Sequence, residues 1–332
     1  MRPVILLTGK NGQVGSELLR LLPQLGEVVA LGRGELDLSN PTGISRTIRE
    51  VRPWIIVNAA AYTAVDQSET DEATAQAVNA ECPRLMAEEA KRIGAALVHY
   101  STDYIFDGTK RVPYDEADPA NPINVYGRTK LAGEQAIRAS GVSHLIFRTS
   151  WVYSTRGRNF LLTILRLATE REELRIVCDQ IGPPTCAWNI AEATNRVLIR
   201  IFRDDTEQYP FSSWSGTYHM TAAGETSWYG FARTILEAAP RISPNVSWFA
   251  ATTQGRPLIT KRITPISTEE FPSPARRPAY SVLSNSRLSQ IFHLALPDWE
   301  TQLQRCLSTT QIDDPQEGSF SRPGVGSSTS AS

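Results

Sequence analysis

The stretch "TGKNGQVG", residues 8–15, sets Gly9, Gly12 and Gly15 between an apolar run, "PVILLT" (3–8), and a helical pattern, "VGSELLRLLPQL" (14–25). A turn that tight calls for positive φ at the first glycine and for no side chain at the second, where a ligand must approach the backbone. The third glycine lets the helix lie against the strand. The helix that starts there points unpaired N–H groups and the positive end of its dipole out of the turn, an arrangement suited to a pyrophosphate. The expectation is a dinucleotide site on Gly9, Gly12, Gln13, Val14 and Gly15.

The rest of the first half agrees with that start. Short apolar runs, "EVVAL" (27–31), "WIIVNAA" (54–60), "ALVHYS" (96–101) and "HLIFRTS" (144–150), alternate with helical stretches at 41–51, 70–93 and 124–139. Strands that are apolar throughout and separated by helices imply a parallel sheet covered on both faces, wound by right-handed crossovers. The expected fold class is α/β: a Rossmann-type, doubly wound parallel sheet over 1–152. A smaller, irregular α/β substrate domain is expected over 153–308, with the segment about 186–206 packing back on the first. The Ser-, Gly- and Pro-rich end, 309–332, reads as a disordered tail.

Composition narrows the function classes. A net charge of −1 over 332 residues gives no field for nucleic acid or an anionic membrane, so neither partner is expected. No run approaches the ~20 apolar residues of a membrane span, and the N-terminal run flows straight into the glycine loop, unlike a signal peptide. Four cysteines without a CxxC pair point to free thiols in a reducing compartment, so a cytoplasmic location is expected.

The end of the second strand discriminates between cofactors. A ribose 2′-hydroxyl wants an acidic acceptor there, and a 2′-phosphate wants an arginine. The strand ends in Gly32-Arg33-Gly34 with no carboxylate at the tip, which selects NADPH through Arg33 and leaves NADH as the alternative. Asp37 and Leu38 are placed to border the adenine, and Ala61, Tyr62 and Thr63, after the third strand, to run beside the cofactor.

"YSTDYIFDG" (100–108) puts Thr102, Asp103 and Tyr104 at the carboxyl end of the fourth strand, where ligands bind in open α/β sheets. "NVYGRTKLAGE" (124–134) sets Tyr126 and Lys130 one helical turn apart on one face. By itself that pair reads as a surface contact. Together with "NAAAYTAVD" (58–66) and the glycine loop, these segments resemble the extended short-chain dehydrogenase/reductase superfamily. "FRTSWVY" (147–153), "DQIGPPT" (179–185) and "ARRPAYSVLSN" (275–285) are similar, more narrowly, to the dTDP-4-dehydrorhamnose reductase family, in order from residue 4 to about 308.

The resemblance implies reduction of the 4-keto group of dTDP-4-dehydro-β-L-rhamnose to dTDP-β-L-rhamnose. Tyr126 would be the general acid, Lys130 would lower its pKa and hold the nicotinamide ribose, and Thr102 would hydrogen-bond the substrate oxygen. Asp103, Tyr104 and Trp151 would line the sugar, and Arg276 and Arg277 would meet the nucleotide diphosphate as bidentate donors. Another 4-keto-deoxysugar nucleotide is the alternative substrate. A non-catalytic subunit resembling the methionine adenosyltransferase β subunit is the alternative of a different class. His99, His144, His219 and His293 lack metal-ligand spacing and read as structural. Some members of the family bridge a dimer with magnesium through glutamates. Here Glu17 is present but Trp188 stands where a second glutamate is expected, so no metal site is expected and Trp188 suits a homodimer contact instead.

Overall fold

The computed structural model describes residues 2–204 and 210–309; from residue 310 on, the expected disordered tail lies outside the described residues. Strands β1 (Val4–Thr8), β2 (Glu27–Leu31), β3 (Ile55–Asn58), β4 (Ala96–Thr102), β5 (His144–Thr149) and β6 (Gly216–His219) form one sheet. Its order is β6-β5-β4-β3-β1-β2, and every pairing is parallel.

The apolar runs explain the layering. Side chains alternate across a strand, so Ile5, Leu7, Ile55, Val57 and Val98 face one way, against Leu18 of α1 (Gln13–Leu21). Leu6, Ile56, Leu97 and Ile146 face the other, against Ile44 and Ile48 of α2 (Pro41–Val51), Met86 of α3 (Cys82–Ile93) and Ile137 of α4 (Val125–Ser140). Both faces are covered, as the continuous apolar runs require.

Two elements of the second half return to this sheet. Helix α5 (Ala187–Asp204) packs along α1, placing Ile190, Val197, Leu198 and Ile201 in the first core. Strand β6 pairs with β5 from Gly216↔Leu145 to His219↔Arg148. A second core gathers Leu161, Ile164, Phe231, Ile235, Trp248 and Leu303 around the parallel pair Glu173–Val177 and Arg262–Ile266. The helical stretch expected at 70–93 is interrupted by a π-helical segment, Ala77–Glu81, between the helix Glu72–Gln76 and α3.

One buried ion pair fixes α4 to the sheet. Glu134 accepts from Arg148 Nε at 3.0 Å and from its second guanidinium nitrogen at 2.8 Å, and from Arg138 at 2.9 Å. Arg148 and Glu134 are both buried, and α4 also carries Tyr126 and Lys130. Removing one partner of a buried pair leaves an uncompensated charge and typically costs about 3–5 kcal/mol. Arg148→Leu should lower unfolding free energy by that amount, read from the urea midpoint; a loss below ~1 kcal/mol would show the pair is not what seats α4.

Candidate active site

All six strands run parallel, so their carboxyl ends share one edge, and the strand order reverses between β1 and β3. At that reversal the glycine turn has the required form. Gly9 has φ +77°, and a Cβ on Gly15 would lie 2.0 Å from the Gly9 carbonyl oxygen. Gly12 precedes helix α1 as its N-cap and supplies no side-chain cap, which leaves the first N–H groups for an external anion. These features fit a dinucleotide pyrophosphate. Val14 packs against the core, and the Gln13 side chain turns towards the second half, accepting from Ser154 Oγ at 2.9 Å and Asn159 Nδ2 at 2.8 Å. The Gln13 side chain is thus engaged within the fold, and its backbone remains on the glycine turn.

The tip of β2 departs from the sequence expectation. A carboxylate does stand there, supplied by Glu35. A turn in which Glu35 N and Leu36 N donate to Gly32 O brings that side chain back, and its Oε2 accepts from Gly32 N at 2.8 Å. Its other oxygen pairs with Lys10 of the glycine loop, and this contact, ahead of the Gly32 N–H, holds the carboxyl below its ordinary pKa. Arg33 is exposed. The Asp37 carboxylate is engaged locally, accepting from Ser39 N at 2.9 Å and Ser39 Oγ at 2.7 Å, and Leu38 lies against the second face's core.

The segment after β3 is held by a residue that motif reading did not single out. Asn79, buried in the π-helical segment, accepts from Tyr62 N at 2.9 Å, donates to Tyr62 O at 3.0 Å and contacts Thr129 Oγ1 at 3.3 Å. It ties Ala61, Tyr62 and Thr63 to α4. The Tyr62 hydroxyl donates to Asp71 at 3.2 Å.

Thr102 and Tyr126 come together where β4 ends. Thr102 Oγ1 donates to Asp103 Oδ1 at 3.0 Å and accepts from Tyr104 N at 3.2 Å. Its hydroxyl stands close enough to the Tyr126 phenol to favour the phenolate, while burial and the Asp103 carboxylate act the other way. The net result is a phenol held above its ordinary pKa. The Tyr104 ring meets Tyr126 edge-on, centroids 5.6 Å apart at 78°.

Lys130, buried on α4, turns back towards β4. Its Nζ donates to Tyr100 O at 2.6 Å and lies 3.2 Å from His99 Nε2. His99, read from sequence as structural, thus touches Lys130. It continues through Asn58 Nδ2 at 3.2 Å to Thr8, whose hydroxyl donates to Asn58 Oδ1 at 2.8 Å. Burial draws the Lys130 ammonium down to about 8, with Glu134 and Cys82 opposing. Burial first, and the Asp103 carboxylate, raise the phenol's pKa, with the Thr102 hydroxyl opposing them. A phenol that keeps its proton at neutral pH is suited to donate it.

Trp151 sits at φ 46°, a left-handed conformation a bulky residue adopts only under constraint. Trp228 stacks on it, centroids 3.5 Å apart and 5° from parallel, and a Cβ on Gly182 would lie 2.7 Å from its ring. The two arginines separate. Arg277 donates to Asp66 at 2.8 Å, Ser273 Oγ at 2.6 Å and Ala275 O at 3.0 Å. Arg276 contributes its carbonyl to Asn124 at 2.7 Å and leaves its side chain exposed. Of the pair, Arg276 is the one with an exposed side chain.

The family model described as RmlD substrate binding domain matches residues 1–312. The chain is 50% identical over 303 residues to a dTDP-4-dehydrorhamnose reductase of Burkholderia thailandensis, covering 91% of this chain and 97% of that one. It is 43% identical over 309 residues to the enzyme of that name from Escherichia coli K12, covering 92% and 97%. The chain belongs to the dTDP-4-dehydrorhamnose reductase family. A solved dTDP-4-dehydrorhamnose reductase from Bacillus anthracis, in complex with NADP, superposes with a TM-score of 0.80 at 36% identity, covering 92% of this chain and 99% of that one.

At the place where some reductases of this family are described as binding magnesium, Glu17 pairs with Arg20 at 3.5 Å. The Arg20 guanidinium lies 5.7 Å from the centre of the partly exposed Trp188 ring. Among the described residues no group of three or more His, Cys, Asp or Glu is placed to hold a metal, and no helix is long and apolar enough to cross a membrane.

Asp103 is the buried carboxylate of this reductase site. It is buried, Oδ2 has no partner at hydrogen-bonding geometry, and burial pushes the carboxyl up to about 7, with the nearby Ser281 and Thr102 hydroxyls opposing. The folded pKa exceeds the unfolded one near 3.9. The folded state therefore holds the extra proton between those values, and stability falls as pH rises from about 4 to about 7, by up to about 4 kcal/mol. Asp103→Asn should remove that dependence: more stable than wild type at pH 8, equal or less stable at pH 4, by urea unfolding. Parallel stability–pH curves for the two proteins would contradict it.

Proposed function

We propose that this chain reduces the C4 carbonyl of dTDP-4-dehydro-β-L-rhamnose to give dTDP-β-L-rhamnose, with NADPH preferred. The observation that carries the reading is the half-buried Tyr126 beside Thr102 at the sheet edge that also carries the glycine cradle. A reduced nicotinamide dinucleotide, when bound, supplies the hydride.

The protein's own residues do the rest. As the carbonyl carbon gains hydride, its oxygen becomes anionic and takes the Tyr126 proton. One O–H bond forms on the sugar, and the phenolic O–H bond breaks. Thr102, beside the phenol, favours the phenolate so formed. Lys130, anchored on the Tyr100 carbonyl, keeps a positive charge one helical turn away below about pH 8. Trp151, immobilised by Trp228, forms a wall for the sugar, and Arg276 meets the diphosphate. The face of Trp188 is the proposed contact with a second copy of the chain. The reaction is placed in the cytoplasm, in keeping with free thiols at Cys82, Cys178, Cys186 and Cys306.

The test is oxidation of NADPH by the purified protein with a panel of 4-keto-deoxysugar nucleotides. Turnover is expected with the dTDP-4-dehydrorhamnose substrate. Tyr126→Phe should keep fold and cofactor affinity and lose at least about 100-fold in kcat, the lower end of a positioned proton donor's contribution. A variant that retains most of its turnover would place the proton source elsewhere. Failure to oxidise NADPH with any member of the panel would overturn the reading, and support the regulatory alternative.

A further inference from the structure

Three side chains converge where the adenine-ribose end of a dinucleotide would lie. The glycine loop is stitched to the tip of β2, with Gly9 N and Lys10 N donating to Leu31 O at 2.9 and 3.3 Å. Directly beyond, Gly32 has no side chain. A Cβ there would stand 2.8 Å from Asn11 Nδ2 and 3.1 Å from Glu35 Oε2, so the Asn11 amide and the Glu35 carboxylate meet over it. Glu35 closes the group by pairing with Lys10 and accepting from Gly32 N at 2.8 Å. An anion thus occupies the tip of β2, held by one cation and one backbone N–H.

We propose that Glu35 is the residue through which this protein discriminates between NADPH and NADH. It is an internal anion standing at the place of the 2′ substituent, compatible with a 2′-hydroxyl and displaced by a 2′-phosphate. The inference rests on the reading that the chain binds a nicotinamide dinucleotide. A 2′-hydroxyl donates to the carboxylate as it stands, leaving the Lys10 pair intact. A 2′-phosphate carries close to two negative charges and requires the same Lys10 ammonium and Gly32 N–H that Glu35 now holds. Counting Lys10 and Arg33 against the nearby Asp37 carboxylate, the local charge is zero with Glu35 in place and plus one with Glu35 swung out. The Glu35 side chain is 48% exposed and that of Lys10 26%, so the carboxylate can leave into solvent without disturbing the core. NADPH preference is then weaker than Lys10, Asn11 and Arg33 would give alone, and NADH remains usable.

The experiment measures dissociation constants of NADP⁺, NAD⁺, 2′,5′-ADP and 5′-AMP by calorimetric titration of the intact protein, Glu35→Gln and Lys10→Met. Gln keeps the shape and removes the charge. In Glu35→Gln, NADP⁺ and 2′,5′-ADP should bind about tenfold tighter while NAD⁺ and 5′-AMP bind equally or a few-fold weaker, the scale of one charge-assisted contact. In Lys10→Met, NADP⁺ and 2′,5′-ADP should weaken about tenfold and NAD⁺ little. A ratio of NAD⁺ to NADP⁺ dissociation constants that stays within twofold of wild type in Glu35→Gln would overturn the inference. Turnover with the sugar nucleotide, measured in parallel, separates the two claims. Intact turnover with an unmoved ratio rejects Glu35 alone. A moved ratio without turnover on any sugar nucleotide rejects the proposed reaction alone. A wild-type protein that binds neither dinucleotide rejects both.

Discussion

The site depends on how closely α4 approaches the end of β4. Gly127 follows Tyr126, and a Cβ at that position would lie 2.1 Å from the Tyr104 carbonyl oxygen. Only a bare backbone lets the first turn of α4 settle on the turn that carries Thr102, Asp103 and Tyr104. From that contact follow the edge-on Tyr104–Tyr126 packing, the closeness of Thr102 to the phenol, and the reach of Lys130 back to the Tyr100 carbonyl. The Glu134–Arg148 pair holds the same helix one turn beyond Lys130. The helix is fixed at both ends of its reactive face, so the proton donor is preorganised before any ligand arrives.

That preorganisation has a thermodynamic cost. Asp103 and Lys130 are buried ionisable groups, and burial disfavours the charged form of each. Trp151 is held in a left-handed backbone conformation between Trp228 and Gly182. Such features persist because the surrounding cores over-determine them, and they cluster at the edge where the chemistry is. Two continuous apolar layers on the sheet supply the excess stability.

Much of this was legible in the sequence because buried parallel strands must be apolar throughout. "EVVAL" and "PTGISRTIREV" match β2 and α2 residue for residue. β6, "GTYH", carries no apolar run and pairs with a strand more than sixty residues earlier, so only the tertiary structure reveals it. The same limit applies within the site. Thr102, Tyr126 and Lys130 lie on motifs. The contacts around them come from His99, which touches Lys130, from Asn79 in a π-helical segment, which holds Tyr62 and Thr129, and from Trp228 at the start of a distant helix, which stacks on Trp151; none forms a spacing pattern with its partner. Glu35 was hidden for a local reason. The strand tip has no acid, and the turn from Gly32 to Leu36 is what returns one to it.

The central claim is that hydride goes to C4 of the sugar while Tyr126 protonates its oxygen. It is tested most directly by running the reduction with NADPH deuterated at the transferable position and locating the label in the product by NMR. The account predicts one deuterium, on C4 of dTDP-β-L-rhamnose, with the hydroxyl proton drawn from solvent through the protein. Deuterium at another carbon, or an unlabelled product, would contradict it.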